Sequence, residues 1–446
     1  MHLVDVETLT LVSFQGQPPD KYAILSHTWR TDAAEEVQYS DIMDGGLASC
    51  PDKPGKFKVE GCCRQAKQEG YRYVWIDSCC INQHSAVELS TAINSMYRWY
   101  WEAGVCYVYM ADVPAGLDVL DAGGAFSKSR WFRRGWTLQE LLAPRDLHFF
   151  NMNWDPIATK QDIASELETI TRIPLLYLFD FDPTTAEASA AQRMSWAANR
   201  VTTREEDVAY CLLGLFDVNL NMIYGEGARK AFVRLQQAIM EKSRDDSIFA
   251  WGLGSKNVPK INFWGLQMKT PTIPDNIPPS RASYSPLSDG VWASTPSDFA
   301  NCANIVTLNS YPKGVCTFAS GFIHIDLVIA AEVPSADVNG GSSNNTSIPV
   351  IFGVLNCGPD TANSPTFVGL PLWRSPQAEV SETAIGEYIR LKDHPLVFVD
   401  GNSFINSRPS PSSINIRVGK DAERRSQYES PLWWSQDWSR GPRPGL

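Results

Sequence analysis

The sequence is poor in the signals that assign a class at once. None of its ten cysteines stands in a C-x-x-C spacing, so no zinc ribbon is expected. It has no basic block either. Its 39 Lys and Arg face 50 Asp and Glu, a net charge of −11, which argues against a phosphate-backbone partner and predicts no nucleic-acid binding. Its longest apolar runs, such as Leu327–Ala331 and Val350–Leu355, fall far short of the ~20 residues of a membrane span, so no membrane partner is expected. The opening stretch Met1–Thr10 lacks the apolar core of a secretory signal, which predicts a cytoplasmic chain with reduced thiols. There is no G-x-S-x-G elbow, and Gly225-Glu-Gly227 with Lys230 lacks phosphate-loop spacing. Cys80 and His84 stand four apart, but two ligands do not make a metal site, so no metal is expected.

What the chain does have is apolar and aromatic material. Hydrophobic residues make up 43% and the tryptophans number 15, enough for a sizeable core and too much for a disordered chain. At 446 residues, two or three domains are expected. Short apolar runs at 22–26, 73–77, 105–110 and 147–150 read as buried strands. Helical spacing fills the gaps between them: Phe57–Glu69 before a capping Gly70, then Val87–Trp101 with Ile93 and Met96 on its inward face. Strands alternating with helices predict an α/β domain over 1–161, a parallel sheet covered on both faces. From 162 to 251 the pattern turns helical, with helices at Gln192–Asn199, Glu205–Phe216 and Gly227–Arg244. From 252 to 446 a proline-rich linker leads into a β-rich domain with strands near 304–308, 322–329, 348–355 and 396–399. A polar loop at 335–347 interrupts it, and a partly ordered tail runs from Arg408.

In an open α/β sheet, ligands bind beyond the carboxyl ends of the strands. The first run is followed there by Ser26, His27, Thr28 and Trp29, the second by Asp77, Ser78, Cys79, Cys80, Asn82 and Gln83. Such a cluster suits a small-molecule pocket; it is equally accounted for by Asp77 capping a turn over packed cysteines. Further on, Trp136 and Glu140 stand four apart and share a face if the segment is helical. A carboxylate beside an indole is partly desolvated, which suits general-base work or stabilisation of an oxocarbenium-like cation. The plainer reading pairs Glu140 with Arg133 or Arg134.

The blocks Tyr22-Ala-Ile-Leu-Ser-His-Thr-Trp29, Val74-Trp-Ile-Asp-Ser-Cys-Cys-Ile-Asn-Gln83 and Arg134-Gly-Trp-Thr-Leu-Gln-Glu-Leu-Leu-Ala-Pro144 resemble, in order and spacing, the three blocks of the fungal heterokaryon-incompatibility (HET) domain. Residues 202–216, with Tyr224-Gly-Glu-Gly227 and Phe249-Ala-Trp251, resemble the helical extension of such proteins, so the likeness covers about residues 22–251. One departure is Trp29-Arg30, where the family has Trp-Gly. HET domains are distant relatives of Toll/interleukin-receptor (TIR) domains, so the resemblance implies a flavodoxin-like, TIR-like fold. Some TIR domains hydrolyse NAD with a Glu four residues after a Trp. The resemblance therefore implies Glu140 as catalytic carboxylate, placed by Trp136, with Ser26, His27, Trp29, Asp77 and Asn82 lining the pocket. NAD would be the substrate, with no resident cofactor. The implied role is self/non-self recognition and regulated cell death, with other incompatibility or signalling proteins as partners. The rival expectation is a non-catalytic signalling module that works by self-association. The two differ in geometry: catalysis requires Glu140 to meet the ends of the first two strands.

Overall fold

The structure is a computed structural model that describes residues 1–16, 18, 21–116, 123–185, 187–254, 258, 260–261, 266–267, 290–308, 310, 316–319, 322–332, 351–361, 365–374, 386–390, 396–400 and 411–417. The chain folds as two compact units. The first is Met1–Asn257 with Ala293–Leu308 and Asn356–Ala362; the second is Val258–Trp292, Asn309–Leu355 and Asn363–Leu446. The first unit holds both the α/β region and the helical stretch after it. Two pieces of the segment read as a C-terminal domain from 252 onward also pack here. Strand Ile305–Thr307 pairs with Cys357–Pro359, and the Ser189 hydroxyl donates to the Ile305 carbonyl at 2.5 Å.

The sheet of the first unit has seven strands: β1 (His2–Asp5), β2 (Leu11–Ser13), β3 (Ala23–His27), β4 (Tyr73–Trp75), β5 (Val105–Tyr109), β6 (Leu147–Phe150) and β7 (Pro156–Thr159). Their order across the sheet is β2-β1-β4-β3-β5-β6-β7. The four expected strands form its parallel centre, with β3 pairing in parallel with β4 and with β5, and β5 with β6. The expectation of a wholly parallel sheet is corrected at both edges, where β1, β2 and β7 pair antiparallel. These edge strands are three or four residues long, β7 begins on Pro156, and none carries an apolar run long enough to read as a strand. Strand β3 is buried at all five positions, as a central parallel strand must be.

The connections follow from this order. The chain leaves β3 for β4 on one side and returns past β3 to reach β5 on the other. Right-handed crossovers then put the two connecting helices on opposite faces. The first, Lys56–Gln68, ends where Gly70 takes a φ of 83°, and the second, Ala86–Glu102, is capped by Ser85 and buries Ile93 and Met96 as expected. The direction reverses between β3 and β5, the topological position at which open α/β sheets bind ligands, and here the carboxyl end of β3 is covered, with Ser26 and His27 buried.

Packing against the first helix is close. An ideal Cβ built on Gly61 would stand 2.0 Å from the Trp154 indole nitrogen, and that ring is stacked against Tyr109 at 5.1 Å with Phe150 on its flank. The ring has no space to retreat. Gly61→Ala is expected to cost about 1–3 kcal/mol by overpacking, seen as a lower urea midpoint; an unchanged midpoint would show that Trp154 moves freely.

In the helical stretch, Ala190–Ala197 and Ala228–Ser243 match expectation, and the latter buries Phe232, Leu235, Ile239 and Met240. The single helix expected over Glu205–Phe216 is corrected. It is one turn, Asp207–Tyr210, followed by tight i→i+3 turns ending in the 3-10 segment Gly214–Phe216. Gly214 lies so close to Tyr97 that a Cβ there would be 2.2 Å from the Tyr97 Cβ, and docking takes precedence over helical continuity. Two further helices, Ala164–Thr171 and Leu175–Asp180, lay undetected in the sequence.

The second unit is β-rich, a nine-stranded and mainly antiparallel sheet among the described residues. Strand Phe322–Glu332 shows the alternation that sequence patterning relies on, with Ile323, Ile325 and Leu327 buried between half-exposed His324 and Asp326. Within the expected tail, Ser412–Arg417 is a strand paired with Phe322–Leu327; the expected loop at 335–347 and the rest of the tail lie outside the described residues. None of the ten cysteines forms a disulfide. No helix among the described residues is long and apolar enough to cross a membrane.

Candidate functional site

The site is assembled from the carboxyl end of β3. Ser26 and His27 are its last two residues, in register with Val108 and Tyr109 of β5. Ser26 is fully buried. Its hydroxyl accepts a hydrogen bond from the Trp131 indole N–H at 2.8 Å and donates to Glu140 Oε2 at 2.5 Å. An indole nitrogen can only donate, so the serine proton is left for Glu140.

Glu140 is carried by the short helix Thr137–Leu142, all six residues of which are buried. No cation pairs with it: neither Arg133 nor Arg134 forms the salt bridge that the plainer sequence reading allowed, and its Oε1 has no protein partner among the described residues. Burial first, and then the neighbouring charge of Asp77, push the Glu140 carboxyl up to about 8, although the Ser26 bond and the charges of Arg134 and Arg200 pull the other way. Near neutral pH the group is therefore mostly protonated, and the introduction of a positive charge beside it would release that proton.

The opposite end of the helix is held by a buried cation. Lys160, 1% exposed, donates to the carbonyls of Leu141 at 2.8 Å and Pro144 at 3.2 Å, satisfying acceptors that a helix terminus leaves free. Burial lowers its ammonium to about 8. Sequence reading passed over it, because a lysine after a strand looks like any surface lysine.

A second set of groups starts from the next residue of β3, His27. The turn at Asp77–Cys80 follows β4 directly. Asp77 Oδ1 is 2.7 Å from His27 Nε2, and Asp77 Oδ2 accepts from the Trp29 indole at 2.8 Å. On the other side of the imidazole, Lys58 Nζ is 2.7 Å from His27 Nδ1 and 2.8 Å from either oxygen of Glu36. Glu36 also accepts from the Arg30 backbone at 2.6 Å. Burial opposes charge on both acids, yet the Lys58 ammonium and the N–H donors set against them, from His27 and Trp29 to Asp77 and from Arg30 to Glu36, outweigh it and hold Glu36 and Asp77 below their ordinary values. The Arg30 side chain points outward to an exposed pair with Glu35, so the departure at Trp29-Arg30 leaves this cluster unfilled.

The structure thus forms two sets at the ends of β3 and β4, Ser26 with Glu140 and His27 with Trp29 and Asp77, linked by the adjacency of Ser26 and His27 and by the charge of Asp77 acting on Glu140. It does not join two others to them by any bond. Asn82 spends its side-chain oxygen on the His84 amide at 3.1 Å, within its own turn. Trp136, half-buried at the helix start, donates instead to Asp207 at 3.0 Å, which also accepts from Tyr224 at 3.0 Å. Trp136 therefore ties the Glu140 helix to the segment around Asp207. Glu36, Lys58 and Trp131 were missed in the sequence. Lys58 had a signal: it stands one turn from Cys62 on the apolar stripe of its helix, where a charge is out of place unless paired.

Compared with known proteins, residues 22–122 match the family described as heterokaryon incompatibility protein (HET), and residues 230–316 match a domain of unknown function, DUF8212. The vegetative incompatibility protein HET-E-1 of Podospora anserina is 45% identical over 239 residues, 52% of this chain and 17% of its own length. The chain thus spans under a fifth of that relative. No solved structure matches it.

Proposed function

We propose, from the match of residues 22–122 to the heterokaryon-incompatibility (HET) family and the likeness to HET-E-1, that the chain is an effector of fungal self/non-self recognition that triggers cell death by hydrolysing NAD, with Glu140 as the catalytic carboxylate. The observation that carries this reading is the Glu140 carboxyl itself: buried, free of any ion pair, held by Ser26 at the carboxyl end of β3. The parallel order β4-β3-β5-β6, which is 2-1-3-4 in chain order, supports a flavodoxin-like reading, and the Ser26 bond keeps Glu140 at the end of β3, the strand beside the reversal. In the reaction the electrons of the nicotinamide–ribose bond leave with nicotinamide. The ribosyl cation left behind is stabilised by the Glu140 carboxylate and captured by water, which loses a proton. The cationic nicotinamide ring favours the ionised carboxylate on binding. Since Glu140 is 4% exposed, entry requires the segment after β3 to open.

The test is NAD consumption by the purified chain, followed against pH. If the carboxylate is the working form, kcat/KM of the free enzyme rises with pH through about 8 and levels off above it. The Ser26 bond lowers the proton affinity of Glu140, so Ser26→Ala should move that limb to higher pH. A flat profile between pH 6 and 9, or no NAD cleavage by protein that retains its cell-death output, would discard the enzyme reading in favour of signalling by association.

A further inference from the structure

The chain of contacts from Glu36 to Asp77 fixes more than it first displays. An ammonium group has three donors and no acceptor. With Lys58 Nζ 2.7 Å from His27 Nδ1, that nitrogen must accept, and the imidazole is left with its one proton on Nε2. Nε2 lies 2.7 Å from Asp77 Oδ1, an acceptor, so the tautomer satisfies both neighbours. The ammonium in turn has its counter-charge in Glu36, which is fully buried, as Lys58 nearly is. Every heteroatom of the ring is thus engaged, and neither nitrogen is open to a ligand.

We infer that Lys58, neutralised by Glu36, is a positioning residue that locks His27 as a neutral Nε2–H donor and through it holds Asp77 as a fixed anion after β4. His27 then has no role as a general base. It is a spacer that transmits the orientation of one helix, Lys56–Gln68, to the turn after β4. Asp77 receives two donors, His27 on one oxygen and Trp29 on the other, so it does not rotate away. Its charge contributes to keeping the proton on Glu140. For its consequence in turnover this inference rests on the NAD-hydrolase reading; the tautomer of His27 does not.

The experiment is a long-range proton–nitrogen correlation spectrum of the full chain with nitrogen-labelled histidine, the His27 ring being identified by its loss in His27→Gln. The expected result at pH 7 is one nitrogen in the protonated range, Nε2, and one in the unprotonated range, Nδ1. A protonated Nδ1, in either the other tautomer or the imidazolium, overturns the inference without any variant needing to fold. The double variant Glu36→Gln with Lys58→Met removes both charges together. In it the lock is absent, and Nδ1 should move to the protonated range at pH 6 as the ring pairs ionically with Asp77; an unchanged ring would show that Lys58 fixes nothing. In turnover the same variant should move the acid limb of the pH profile to lower pH, because an imidazolium paired with Asp77 offsets the charge that holds the proton on Glu140. A wild type with the expected ring but no NAD turnover would refute the enzyme reading and leave the lock standing. A variant with the altered ring but an unaltered pH profile would refute the coupling to Glu140.

Discussion

Glu140→Gln should lower NAD cleavage at least about 100-fold, the size of effect seen when a charged group acting in the transition state is removed, and it should do so without weakening the fold. The amide keeps the volume and still accepts the Ser26 hydrogen bond, so the loss is one of charge alone. The stability half of this expectation has a definite sign. The native Glu140 carboxyl titrates at about 8, above its ordinary value of 4.5, so between those limits the folded protein holds a proton that the unfolded chain releases. Stability contributed by the neutral form is therefore full below about 4.5 and declines as pH rises towards 8. Gln carries no such burden. The variant should match the wild type near pH 5 and gain on it as pH increases, by on the order of a few kcal/mol at most. Denaturation midpoints of both proteins at pH 5, 7 and 9, set beside NAD turnover, test the two halves together. Turnover within threefold of wild type would remove Glu140 from the reaction. A lower midpoint at every pH would make it a structural residue.

Much of this arrangement was legible beforehand. The central strands announced themselves because parallel strands buried on both faces are written as unbroken apolar runs, as in Tyr22–Ser26 and Val105–Met110. The same logic led to Ser26, His27 and Asp77, because residues after such strands lie at the ligand-binding edge. Short edge strands such as His2–Asp5 carry no comparable pattern, and their pairing comes from the sheet already formed beside them. The polar connections were less legible still. That Trp136 binds Asp207, 71 positions away, or that Lys58 reaches His27, 31 positions away, depends on how separate elements dock. Periodicity places a side chain on a face; it does not say which polar group waits across the interface. The i,i+4 relation of Trp136 and Glu140 shows the limit well. Spacing suggested a shared task, and the folded chain gives each side chain a different partner.

Lys58→Met should be among the most costly single substitutions in the first unit, at about 3–5 kcal/mol, because breaking a buried ion pair leaves the remaining charge without compensation. Glu36 is fully buried and draws its counter-charge from Lys58 at 2.8 Å, with the Arg30 amide as its other donor. Methionine fills most of the lysine volume, so lost packing contributes little. Two responses separate this cause from a simple cavity. The first is compensation: adding Glu36→Gln to Lys58→Met removes the stranded carboxylate and should recover at least half of the loss, giving a strongly non-additive double-mutant cycle. The second is pH. Glu36 in the wild type is held below its ordinary value, so the stability it contributes is present above about 4.5 and falls away only as pH drops through its lowered native value. Without the ammonium that value rises, since burial is then opposed mainly by the Arg30 amide and any charge on His27. The single variant should therefore lose less, relative to wild type, at pH 4 than at pH 7. Urea denaturation at both pH values measures this directly. Additive single and double variants, or a loss that does not depend on pH, would mean that Lys58 serves as a buried hydrocarbon stem and that its charge holds nothing in place.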